Sequence, residues 1–285
     1  MDDARFAREV WQVLEPLHAV TYFAEESHEA ARAVGLRGFW MGYFALRAAP
    51  LGAVTPGVVE AAFYNFHPAM VRRALPDAWD FAAPEAVLRA RAESATAALR
   101  RVAPSAREAA GPVVPLLERV VAAADGAGRP LFAANRGVPA SDDPVGALWQ
   151  AATALREHRG DGHVALLTAE GLDGCEVHVL FAAGENVPAN VLRDNRGWSE
   201  DDWRSGLARL TVRGILGEDG ALTAEGQALR TRIEARTDEL AVRPYRALAP
   251  HEAARLVELL GPVADEVYDS GVIPVPNPMG LPARR

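Results

Sequence analysis

Ser199-Glu-Asp-Asp-Trp-Arg-Ser-Gly-Leu-Ala-Arg-Leu-Thr-Val-Arg-Gly-Ile-Leu-Gly-Glu-Asp-Gly-Ala-Leu-Thr223 fixes the architecture more firmly than any other segment of the chain. Ser199 is a helix N-cap, and Glu200, Asp201 and Asp202 suit the positive end of the helix that follows. Trp203, Leu207, Leu210 and Val212 recur at mostly helical spacing, and Gly214 closes the run. Ile215-Leu216 and Ala221-Leu222 then flank Gly217-Glu-Asp-Gly220, an Asp-Gly hairpin signal. Thr223 caps a further helix over 224–240, with Leu229, Ile233 and Leu240 on its apolar side. Upstream, 187–194 is a short helical run, and Gly197-Trp198 turns the chain. Helix, turn, helix, hairpin, helix is the order of a winged helix-turn-helix.

The pattern occurs in an approximate duplicate. Leu17-His-Ala-Val-Thr-Tyr-Phe23, Gly35-Leu-Arg-Gly38 and Met41-Gly-Tyr-Phe-Ala45 stand in the same order as Leu148-Trp-Gln-Ala-Ala-Thr-Ala-Leu155, Gly171-Leu-Asp-Gly174 and Val179-Leu-Phe-Ala-Ala183. Further along, Leu88, Arg89, Arg91, Glu93, Thr96 and Leu99 match Leu229, Arg230, Arg232, Glu234, Thr237 and Leu240. Insertions separate these anchors. The expected organisation is a first winged-helix-like repeat over 1–101, a Pro/Gly-rich connection over 102–143, a second repeat over 144–242, and a C-terminal helix with an extended Pro-rich tail over 243–285. Within the connection, 116–124 reads as a short helix and 126–143 as a long loop. The fold class is mainly α: two tandem winged-helix-like helical repeats, each built of helices, with a small β-hairpin wing. A pseudo-twofold relation would give them one shared core or cavity.

Composition narrows the function. The 285 residues are 49% hydrophobic and 24% charged, enough for a large core and incompatible with disorder. No apolar run reaches the length of a membrane span, and Met1-Asp2-Asp3 is acidic where a signal peptide is basic, so a cytoplasmic protein without a membrane partner is expected. A single cysteine, Cys175, excludes an intramolecular disulfide and reads as a small core residue. All 30 basic residues are Arg, which reflects GC-rich coding. The net charge of −8 repels a phosphate backbone unless Arg residues cluster. In the winged-helix segment Arg204, Arg209 and Arg213 lie among Glu200, Asp201, Asp202, Glu218 and Asp219, so DNA is a possible but disfavoured partner.

The chain resembles actinobacterial helix-turn-helix domain-containing proteins of about this length. Tyr22-Phe23, Gly35-Leu-Arg-Gly-Phe-Trp-Met-Gly-Tyr-Phe44, Arg47-Ala-Ala-Pro-Leu-Gly52, Phe63-Tyr-Asn-Phe66, Ala74-Leu-Pro-Asp-Ala-Trp79, Arg156-Glu-His-Arg-Gly-Asp-Gly-His163 and Gly197-Trp198 carry the resemblance. It implies a fold and names no reaction, because the family is named for a shape.

Two groups of residues could carry chemistry. In Glu157-His158-Arg159-Gly160-Asp161-Gly162-His163, the glycines would break a helix and let this backbone come close to another group. His158 would then end one helix and His163 open the next, Arg159 would hold a carboxylate or phosphate, and Asp161 would cap a helix or orient an imidazole. His-x4-His across such a break is not a zinc spacing, so no metal is expected. The second group is His18 and Tyr22 on one helix face, Trp40, Tyr43 and Arg47 on another, and the aromatic turn with Tyr64, Asn65 and His67. Aromatic residues at this spacing usually form core; with directed polar groups they wall a pocket for a flat organic ligand. The expected function is small-molecule binding, of a sensor or sequestering kind. The alternatives are a cofactor- or metal-assisted enzyme of secondary metabolism using the same pocket, and a DNA-binding regulator. No P-loop, Rossmann, Gly-x-Ser-x-Gly or His-Glu-x-x-His motif is present, and no cofactor is specified.

Overall fold

In the computed structural model, which describes residues 3–185, 187–277, 279 and 281, the chain is built of helices. They are α1 (Asp3–Phe23), α2 (Glu25–Ala33), α3 (Gly38–Ala48), α4 (Pro56–Phe63), α5 (Pro68–Arg72), α6 (Ala78–Phe81), α7 (Pro84–Val102), α8 (Ala106–Ala123), α9 (Pro130–Arg136), α10 (Pro144–Ala169), α11 (Gly174–Glu185), α12 (Ala189–Arg196), α13 (Glu200–Val212), α14 (Ala224–Val242) and α15 (Pro250–Asp269). Short 3-10 turns follow α3 and α14.

Apolar spacing explains the packing. On α1, Phe6, Val10, Val13, Leu14, Leu17 and Val20 form one stripe at steps of three and four, and all are buried. They meet Leu99 of α7, Leu117 of α8, Leu148 and Trp149 of α10, and Leu256 and Leu260 of α15 in the central core. Each such buried side chain contributes about 1.5–3 kcal/mol. A second core, around Phe44, Phe63, Phe66 and Leu75, belongs to α2–α6 and takes Val87 from α7 and Leu131 from α9. A third, around Leu180, Leu192, Trp203, Leu210 and Ile233, belongs to α11–α14 and takes Leu167 from the end of α10. The two outer units flank a bundle of long helices.

The sequence expectations need four corrections. Among the described residues there is no strand, so the wing is not a β-hairpin. Leu216 and Leu222 form one isolated antiparallel bridge, closed by the Gly217 amide on the Ala221 carbonyl at 2.9 Å. With two residues on each side of Gly217-Glu-Asp-Gly220, the ladder has nothing to propagate along.

Second, Gly160 and Gly162 do not break a helix: α10 runs unbroken through both. Asp143 accepts from the amides of Val145 and Gly146, Pro144 takes the first helical position, and tertiary packing outweighs the local cost of the glycines. His158 therefore does not end a helix and His163 does not begin one.

Third, the connection is largely helical. α8 starts ten residues before the expected position and carries Pro112 and Pro115 on its exposed side, where water reaches the carbonyls they leave unbonded. α9 lies inside the expected loop, with Leu131, Phe132 and Asn135 buried.

Fourth, the tail is not a plain extended arm. Ile273 and Leu281 are buried in the central core, and Asn277 Oδ1 accepts from the amides of Met279 and Leu281, both at 3.1 Å. Pro278, Gly280 and Pro282 of that tail lie outside the described residues.

Candidate functional site

A cavity of about 480 Å³ opens between the central bundle and the outer units. α1 contributes Arg8, Trp11, Glu15 and Tyr22; α3 contributes Tyr43 and Arg47. α10 contributes Arg156, Arg159, His163 and Val164, and α11 contributes His178, Leu180 and Phe181. Arg196 of α12, Arg230 and Glu234 of α14, Asn65 and Phe66 after α4, and Met279 of the tail also line it.

The inner end is a bonded charge cluster. The Glu157 carboxylate, 1% exposed, accepts from Arg47 Nε at 3.0 Å, Arg47 Nη2 at 3.1 Å and Arg156 Nη1 at 2.9 Å. Arg156 Nε also donates to Glu15 at 3.0 Å. Burial alone would raise the Glu157 carboxyl, but the two guanidinium groups outweigh it and hold it well below the carboxylate range. Burial likewise opposes the charge on Arg47 and Arg156, and their carboxylate partners more than restore it. Arg47 also lies over the Phe63 ring at 4.2 Å.

A second cluster stands at the outer end. Arg8 donates to Glu234 at 2.7 Å and Asp238 at 2.9 Å, and Arg159 donates to Asp238 at 2.7 Å. The two guanidinium groups each lie 5.3 Å from the Trp11 ring. Arg230 pairs with Glu185.

Six of the residues singled out from sequence meet in this wall: Tyr22, Tyr43, Arg47, Asn65, Arg159 and His163. The other six do not line it. His18 lies behind, with Nε2 2.8 Å from the Tyr22 hydroxyl and Nδ1 3.0 Å from Thr153 Oγ1, and burial and Arg156 push it well below the ordinary imidazole range. Trp40 packs among Phe44, Phe66 and Tyr43. His158 is turned away from the cavity, edge-on to Phe132 at 5.0 Å, and burial and Arg129 hold it neutral, down to about 3. Asp161 accepts from the Phe132 amide at 2.8 Å, so it caps α9 and not a helix of its own segment; burial raises it to about 6. Gly162 gives the close approach expected of it, to the Arg129 guanidinium, which donates to the His158 carbonyl.

Tyr64, Asn65 and His67 join the two outer units. The Tyr64 hydroxyl donates to the Leu172 carbonyl. The Asn65 carbonyl accepts from His178 Nε2 at 3.2 Å and Trp198 Nε1 at 3.1 Å. The His67 amide donates to the Arg196 carbonyl at 2.8 Å, and its ring meets Trp198 edge-on at 5.0 Å. Its Nδ1 caps α5 by accepting from Ala69. Cys175 is buried and its thiol pushed up to about 12, which makes it a core residue.

Sequence reasoning missed Arg8, Trp11, Glu15, Arg156, His178 and Glu234. Trp11, Glu15, Tyr22 and Arg8 share a face of α1 at helical steps, a signal that was readable but indistinguishable from a surface-to-core boundary.

The fold defines a helical protein that carries a helix-turn-helix, with α12 and α13 joined at Gly197, whose φ of 76° lies in the left-handed region. The profile of the Helix-turn-helix family matches residues 7–274, and the chain belongs to that family. No curated protein and no solved structure matches the chain significantly. Among the described residues no helix is long and apolar enough to cross a membrane, and no three metal-ligating side chains converge.

Proposed function

We propose that this protein binds a small organic molecule in the cavity, as a sensor or a sequestering protein. The observation that carries the proposal is a cavity of about 480 Å³ with aromatic walls and ionic clusters at both ends. Ordinary ligand sites have this size and this mixture of apolar wall and few directed polar groups. Solid packing would have been the cheaper use of Trp11, Tyr22, Tyr43 and Phe181. A thermal-shift screen of planar aromatic compounds tests it: a binder raises the melting temperature in proportion to the logarithm of its concentration. Val164→Trp, at a partly buried wall position outside the cores, fills the cavity and is expected to abolish that rise while preserving the fold. A panel that shifts nothing, or shifts the filled variant equally, overturns the proposal.

We also infer that the two outer units are copies. Gly35 precedes and Gly38 opens α3 as Gly171 precedes and Gly174 opens α11, and α4 and α12 are each followed by a residue of positive φ, Tyr64 at 62° and Gly197 at 76°.

DNA binding is the second reading, favoured by family membership. Two features weigh against it. Arg204 is paired with Asp201, Arg209 with Asp173 and Glu176, and Arg193 with Asp194 and Glu200. The starts of α5 and α13, the corresponding reading positions, adjoin through His67 and Trp198, whereas half-site readers hold theirs about 34 Å apart. Fluorescence anisotropy with duplex DNA at low salt is expected to show no saturable, steeply salt-dependent binding.

A further inference from the structure

His163 has only one tautomer available to it. Its Nδ1 lies 3.0 Å from Thr237 Oγ1, and Thr237 Oγ1 lies 2.7 Å from the Ile233 carbonyl. A carbonyl has no proton to give, so the single hydroxyl proton of Thr237 goes to Ile233. Thr237 can then only accept from the imidazole, and Nδ1 carries the hydrogen. Nε2 is left with a lone pair, on a ring that lines the cavity, with no protein partner. Fixing one ring nitrogen so that the other is presented unprotonated is how folds orient an imidazole for a ligand.

His178 repeats the arrangement from α11. Its Nε2 donates to the Asn65 carbonyl at 3.2 Å, so its Nδ1 is the unprotonated nitrogen. Burial holds both rings neutral, His163 down to about 4 and His178 down to about 3. Of the wall's arginines, Arg8, Arg47, Arg156, Arg159 and Arg230 are engaged by carboxylates, whereas Arg196 donates to the Asn195 carbonyl and lies over the Phe66 ring at 4.6 Å. His163 Nε2 and His178 Nδ1 are thus neutral hydrogen-bond acceptors, in a wall that also presents aromatic faces such as Trp11 and Phe181.

From this we propose that the cavity takes an uncharged aromatic hydroxy compound, its rings against the aromatic wall and its O–H donated to His163 Nε2. The proposal rests on the reading of the cavity as a ligand site and specifies what that ligand must offer. A carboxylate or phenolate would put negative charge against the acceptor lone pair, and an ether or hydrocarbon would leave that lone pair dry and unsatisfied. Hydroxyl recognition of this kind discriminates against an analogue lacking the proton more strongly than apolar contact does.

The test is titration calorimetry of the full chain with β-naphthol and with its methyl ether, which differ by the donated proton. The wild type is expected to bind β-naphthol about tenfold more tightly, the worth of one buried hydrogen bond. His163→Phe, which keeps a ring in the wall, is expected to reduce the preference to less than about twofold while the ether binds as before. Thr237→Val, which frees the tautomer, is expected to reduce it in part and serves if His163→Phe does not fold. Equal binding of the two compounds by the wild type, or a tenfold preference surviving in both variants, overturns the hydroxyl assignment and leaves the cavity reading intact. Failure of both compounds to bind overturns the cavity reading and this inference with it.

Discussion

Glu157 shows how much a single residue depends on partners far along the chain. In sequence it belongs to a polar run beside His158; in space it is clasped by Arg47, 110 residues away, and by its neighbour Arg156. Arg47→Met is expected to cost about 3 kcal/mol, because the carboxylate stays buried with only the hydrogen bond from Arg156. Adding Glu157→Gln is expected to recover part of that loss, and urea denaturation of the single and double variants measures both. The buried imidazoles make a second expectation. His158 and His178 bind a proton near 6.5 when unfolded but only near 3 when folded. Between those values the unfolded chain holds more protons, so stability falls as pH drops from 6.5 toward 3. Asp161, raised to about 6 from 3.8, works in the opposite sense and offsets part of the loss. Between pH 6.5 and 5 the two imidazoles lose about 3 kcal/mol and Asp161 returns about 1; His163, down to about 4, and His18 add to the loss, so a net loss of at least about 3 kcal/mol is expected, read as a lower urea midpoint at pH 5.

At the scale of elements, glycine positions separate local from tertiary demands. Gly174 opens α11, where an added Cβ would stand 2.5 Å from the Tyr64 carbonyl oxygen and 3.2 Å from Asn65 Cα. Both neighbours are backbone and cannot step aside, so Gly174→Ala is expected to destabilise by about 2–3 kcal/mol and to loosen the His178–Asn65 contact. Gly57, exposed in the first turn of α4, has no atom beyond its chain neighbours and its own helix within 4 Å of the same position. Gly57→Ala is expected to stabilise by about 0.5–1 kcal/mol, from the reduced freedom of the unfolded chain. Thermal melts of the two variants should move in opposite directions. Helix starts were legible for this reason: Ser199 with Asp202, and Thr223 with the Gly226 amide, act within four residues. The course of α10 through Gly160 and Gly162 was not, because Gly162 is justified by the Arg129 guanidinium, which comes from another part of the chain.

At the scale of the whole molecule, α10 ties the parts together. It gives Leu148, Trp149 and Leu155 to the central core and Leu167 to the third. α1 packs against α10, α14 and α15. With tryptophans in every core (Trp149 in the central one, Trp40 and Trp79 in the second, Trp198 and Trp203 in the third), far-ultraviolet circular dichroism and tryptophan emission are expected to report one coincident unfolding transition. Two separated transitions would show that an outer unit melts independently.

Cap residues, apolar stripes and punctuating glycines act over a few residues, and so the order of helices, the turn at Gly197 and the dominance of α-structure were set by the sequence locally. Half of the residues suspected of chemistry do line the cavity, because aromatic and charged side chains sharing a helix face already mark an unusual face. What the tertiary structure alone decided is which way each group points and what it meets. His158 turns to Phe132 while His163, five residues on, turns to the cavity; Arg8 finds its carboxylate 230 residues away. Those outcomes depend on distances closed by packing, and no periodicity along the chain encodes them.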